Sequence, residues 1–98
     1  MIKEEIKKLR EELNLTQEEF AKILGTHTST VYRWESGASQ PEKNHLLYLH
    51  AMQDILARNK KEALKKALTK ALIIGGTLAA VYALLKLFFE ADDKKNIS

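Results

Sequence analysis

The sequence predicts an all-α protein in which short helices pack into a small domain and a long hydrophobic helix follows at the C-terminus. Apolar residues recur at three- and four-residue steps along most of the chain, the spacing of one-sided helices. The single proline and the four glycines fall at informative places and punctuate the chain. From Ala71 to Leu85 no residue is charged, a stretch long enough for a helix that is apolar all round. At 98 residues the chain suffices for one small domain with an appendage, and its size alone favours oligomerisation.

Ile2, Ile6, Leu9 and Leu13 form the stripe of a first helix over roughly residues 2–13, which Asn14 interrupts. Thr16-Gln17-Glu18-Glu19 is a capping box: the Thr16 hydroxyl can accept from the Glu19 amide, and the Glu19 carboxylate can accept from the Thr16 amide. A second helix over about 17–24 starts there, with Phe20, Ala21 and Leu24 inward, and Gly25 supplies the left-handed residue that stops it. After Thr26-His27, a third helix runs through Thr28–Glu35 to Gly37. It sets Val31 and Trp34 on one side and Thr28, Ser29, Tyr32 and Arg33 on the other. So Thr-rich a segment is a poor helix alone, and packing must hold it.

Ala38-Ser39-Gln40-Pro41 reads as a loop, with Pro41 at the first position of a fourth helix whose apolar side is Leu46, Leu47, Leu49, Met52, Ile55 and Leu56. Arg58-Asn59-Lys60-Lys61 is a polar interruption. Ala63, Leu64, Ala67, Leu68, Ala71 and Leu72 then repeat at helical spacing with lysines opposite, and beyond Lys70 the polar side disappears. The expected organisation is a domain at 1–57, an amphipathic-to-hydrophobic helix at 58–91 and a polar tail at 92–98.

Residues 1–50 carry seven Lys/Arg against eight Asp/Glu, whereas residues 51–98 carry nine against five, so the formal net charge of +3 lies in the second half. Arg58, Lys60, Lys61, Lys65, Lys66 and Lys70 concentrate it, either to face phosphate or anionic lipid or to solvate a helix. Cysteine is absent and no charged-then-apolar leader opens the chain. Disulfide scaffolds, thiol catalysis, Cys-rich zinc sites and a signal peptide are therefore not expected, and the expected compartment is the cytoplasm. His45 and His50 stand five apart, a spacing that does not align two metal ligands on one helical face, and His27 is remote in sequence. The adjacent pairs Glu11-Glu12 and Glu18-Glu19 diverge around a helix and make poor acid–base partners. No phosphate-binding glycine loop or Ser-His-Asp set can be assembled, so no enzyme, cofactor or metal is expected.

The strings Leu15-Thr16-Gln17-Glu18-Glu19-Phe20-Ala21-Lys22-Ile23-Leu24-Gly25 and Val31-Tyr32-Arg33-Trp34-Glu35-Ser36-Gly37 resemble the helix-turn-helix of the lambda repressor, Cro and the wider Xre family, over residues 2–49. A small residue at Ala21 lets the second helix approach the third, Gly25 permits the turn, and Val31 with Trp34 anchors the third helix. The resemblance implies a lambda-repressor-like domain whose third helix enters the major groove, with Thr28, Ser29, Tyr32 and Arg33 toward the bases. Arg33 is suited to the O6 and N7 of guanine. Gln17, helped by the helix dipole, and Lys43 are implied phosphate contacts. Arg10 and Glu35 fall where the resemblance implies an ion pair joining the first helix to the third, and Trp34 where it implies a core residue. His27 stands where a small hydroxyl residue is common, which leaves the cap of the third helix to Thr26 or Thr28. The family's fifth helix is not recognisable, and the long helices after Pro41 are closer to those of antitoxin-type autorepressors.

With Lys86 snorkelling, the apolar run spans Ala71–Phe89, nineteen residues or nearly 30 Å of helix. One reading is an oligomerisation helix: Gly75, Ala79 and Ala83 form one small-residue row and Gly76 with Ala80 a second, allowing close backbone approach. The other is an inner-membrane anchor, with the basic N-terminal flank keeping the first domain in the cytoplasm. The expected function is sequence-specific binding of double-stranded DNA by a homodimeric or larger repressor on a palindromic operator. The alternatives are a membrane-anchored DNA tether and an antitoxin-like autorepressor with a protein partner.

Overall fold

The computed structural model describes the backbone of residues 1–75 and 78–97, with side chains through 75 and from 81 to 90. Within these, six helices follow in order: α1 (Lys3–Glu12), α2 (Gln17–Ile23), α3 (Thr28–Ser36), α4 (Lys43–Ala57), α5 (Lys61–Ile74) and α6 (Leu78–Ile97).

The helix ends have local causes. The Ile2 amide donates to Glu5 Oε1 at 3.0 Å to open α1. The Thr16–Glu19 capping box forms at α2, with Glu19 N to Thr16 Oγ1 at 3.1 Å and Thr16 N to Glu19 Oε1 at 2.9 Å. Gly25 follows α2 at φ +66°. The N-cap of α3 is His27, without a side-chain hydrogen bond, so neither Thr26 nor Thr28 fills that position. Extended backbone at His27 alone starts the helix, and packing of Val31 and Trp34 sustains it. Helix α4 starts at Lys43, with Glu42 as its N-cap, two residues beyond the start expected at Pro41. Pro41 is instead buried in the loop before it.

One continuous core joins all six helices. Helix α2 packs against α3 and α5, and α4 against α1, α5 and α6. Phe20, Leu24, Val31, Leu49 and Met52 are fully enclosed, and Leu64 and Leu68 of α5 with Val81 and Leu85 of α6 enter the same cluster. Burial of side chains of this size stabilises by about 1.5–3 kcal/mol each. The Arg58 guanidinium lies 5.1 Å from the centre of the Phe89 ring and ties the end of α4 to α6.

The single long C-terminal helix expected over 58–91 is two helices. Gly75, in the left-handed conformation at φ +75°, stops α5 directly after Ala71-Leu72-Ile73-Ile74, and α6 packs against both α4 and α5. The apolar run is thereby divided. Among the described residues no helix is long and apolar enough to cross a membrane.

Candidate nucleic-acid interface

The geometry of α3 follows from its two anchors. Val31 and Trp34, three residues apart, are buried to 0% and 2% exposure, and the Trp34 ring rests 5.3 Å from that of His45 on α4. With that side fixed, Thr28, Ser29, Tyr32 and Arg33 stand exposed on the other. Ala21 is buried on α2, which packs against α3 and α5, and a small side chain there suits close packing. At the far end Gly37 adopts φ +84°, and the Ala38 amide returns to Arg33 O at 2.9 Å. A Cβ at Gly37 would meet Lys3 Cδ at 3.2 Å, so Lys3 of α1 lies over the C-terminus of α3, where a cation complements the helix dipole.

A polar clasp fixes α1, α2 and α3 relative to one another. Arg10 Nε donates to Glu35 Oε2 at 2.7 Å and Nη2 to Glu35 Oε1 at 2.9 Å, while Nη1 donates to the Leu15 carbonyl at 2.9 Å. The two side chains are 14% and 5% exposed. Such fork-to-fork geometry is the strong form of an ion pair. The hydrogen bond to Glu35 raises the Arg10 pKa, against a smaller lowering by burial. Because the folded value is raised above the ordinary guanidinium range, this arginine contributes fully below that range and loses its contribution only as pH rises through the folded value. Across neutral pH it is a constant cation.

Gln17, half-buried at the start of α2, donates from Nε2 to Glu35 Oε1 at 3.2 Å. Its amide nitrogen carries a second hydrogen free for another acceptor. Lys43 stands exposed at the first position of α4. Sequence reasoning missed three members of this assembly: the Leu15 carbonyl on Arg10, the Gln17–Glu35 bond and Lys3 over Gly37. The last two have no short-range signal, since each depends on how α1 and α2 approach α3, whereas the Arg10–Leu15 bond spans only five residues and is fixed by the turn that follows α1. Of the small residues considered for oligomerisation, Gly75 stands in the turn after α5 and Ala83 is exposed on α6. Gly76, and the side chains of Ala79 and Ala80, lie outside the described residues. Among the described residues no group of three or more His, Asp or Glu is arranged to hold a metal ion.

The exposed side of α3 thus offers hydroxyls, a phenol and a guanidinium on a helix whose opposite side is immobilised in the core. Residues 6–47, from α1 into α4, match the family model described as Helix-turn-helix. Searches of curated proteins and of solved structures returned no match.

Proposed function

We propose that this chain, whose residues 6–47 match the Helix-turn-helix family model and resemble the Xre and lambda-repressor-like type, is a dimeric repressor that reads the major groove with α3. The observation that carries the reading is the division of α3 itself. Val31 and Trp34 are buried, and Thr28, Ser29, Tyr32 and Arg33 are exposed together on a helix pinned by the Arg10–Glu35 pair. A rigid helix of about 10 Å diameter fits the major groove. Arg33 donates twice to the O6 and N7 of a guanine, and Thr28 and Ser29 discriminate more weakly through their hydroxyls. Tyr32 meets a thymine methyl or a phosphate. Gln17 and Lys43 hold the backbone and set the register without reading sequence. Arg10 and Glu35 act on DNA only by holding these elements in place. A dimer places two copies of α3 one helical turn apart, and occupancy of a promoter blocks transcription.

Selection from randomised duplexes tests this reading. The expected product is a two-fold motif with half-sites about 10 base pairs apart, centre to centre. Absence of any enriched motif, with retention only by non-specific, salt-sensitive binding, would overturn it.

A further inference from the structure

We infer that the groove between α4 and α6 is a two-fold interface whose occupant is a second copy of this chain. The groove is lined by Leu47 and Tyr48 of α4 and by Tyr82 and Phe89 of α6, with Lys86 and Glu90 at its rim. Leu47 is 63% and Tyr82 56% exposed, large apolar groups that a lone chain leaves in water. Tyr82 is also held in place, its ring edge-on to Tyr48 at 6.3 Å between centres. Projecting side chains and the depression beside them therefore belong to one patch, as a self-complementary interface requires.

The charges on the rim favour a copy over a foreign partner. Lys86 and Glu90 stand one helical turn apart, 60% and 52% exposed, and meet each other only at 3.8 Å. A groove for an acidic or a basic peptide would carry one sign. This rim carries one charge of each, and a two-fold axis that sets the α6 helices of two copies antiparallel brings Lys86 of each against Glu90 of the other. The groove also begins at Asn44, next to Lys43. Here the inference rests on the DNA-binding reading: a copy seated there joins the two domains close to the proposed phosphate contact.

Charge reversal tests this with the full chain. Wild type is expected to sediment as a dimer, and L47E or Y82E as monomers with unchanged helical circular dichroism. K86E and E90K each set like charges together twice per dimer, and each is expected to weaken association about tenfold. Mixing K86E with E90K is the deciding measurement, because in the mixed dimer opposite charges meet at both contacts. Heterodimers should form at wild-type affinity, a result that the pairing within one helix cannot produce. A monomeric wild type, no recovery on mixing, or a dimer that survives L47E and Y82E but dissociates on enlarging Ala83 would each overturn the inference. Operator binding by a monomer would overturn the interface and the dimeric part of the proposed function, and leave major-groove reading by α3 standing. A dimer with this behaviour that selects no duplex motif would do the reverse.

Discussion

The first three helices and the last two use the same core in different ways. Between α1, α2 and α3 the contact is both apolar and polar. Leu9, Phe20, Val31 and Trp34 fill it, and the Arg10–Glu35 pair with the Leu15 carbonyl and Gln17 fixes its geometry. Helices α5 and α6 contribute aliphatic side chains to that core, while Ile73 and Ile74 remain 80% and 81% exposed, and Tyr82 and Leu87 56% and 61%. Directional bonds specify one arrangement, whereas apolar burial stabilises without direction. The surface that carries Thr28, Ser29, Tyr32 and Arg33 therefore lies where the polar clasp is, and most of the exposed aliphatic surface lies where it is not.

The largest expected effect breaks the comparison at its root, by removing α6. Ending the chain at Gly75 uncovers the core that Val81 and Leu85 close, and should cost about 5 kcal/mol in urea unfolding, from two buried side chains and the partners they expose. A shortened chain as stable as the whole would mean that the first helices make a complete core alone. Next comes Arg10→Met, which strands Glu35 at 5% side-chain exposure and should cost about 3 kcal/mol. Adding Glu35→Leu should recover most of that loss, because the stranded charge goes too; an additive double variant would contradict the clasp. Arg33→Ala should leave the melting temperature in place and weaken specific DNA binding by about 1–3 kcal/mol, with relaxed preference at one base pair per half-site. An unchanged preference in a randomised-operator selection would remove Arg33 from the reading role. Smallest is Gly75→Ala. Among the described residues nothing lies within 4 Å of the added Cβ, so the strain of φ +75° sets the expected loss, about 1 kcal/mol against the fold. No change in unfolding midpoint would show that the backbone there adapts freely.

What the sequence revealed follows the same division. The Thr16 capping box, Gly25, Gly37 and the Val31–Trp34 spacing are local signals, and the helices they delimit lie within a few residues of expectation. The family resemblance led to the Arg10–Glu35 pairing, which joins positions 25 apart and leaves no mark in a short window. Pro41 misled by two residues, because a proline that suits a first helical turn also suits the buried loop before Glu42. The division at Gly75 was the main loss. An uncharged run from Ala71 reads as one helix when hydropathy alone is weighed, although the Gly75-Gly76 pair is a turn signal inside it. That α6 packs on α4 and α5 depends on Val81 and Leu85 meeting partners far along the chain, which periodicity does not encode.

The bond from Gln17 Nε2 to Glu35 Oε1 has an entropic consequence for a DNA complex of the proposed geometry. A glutamine free to sample its rotamers loses that freedom when it grips a phosphate, at about 0.5–1.5 kcal/mol for a side chain of this kind. Here the loss is incurred at folding, because Glu35, itself gripped by Arg10, already holds the amide in one place. The second hydrogen on the same nitrogen can then meet a phosphate oxygen without ordering the side chain anew. In a complex of the proposed geometry the clasp transfers part of the ordering cost of association to folding, and Arg10 shares in setting how tightly the DNA is held.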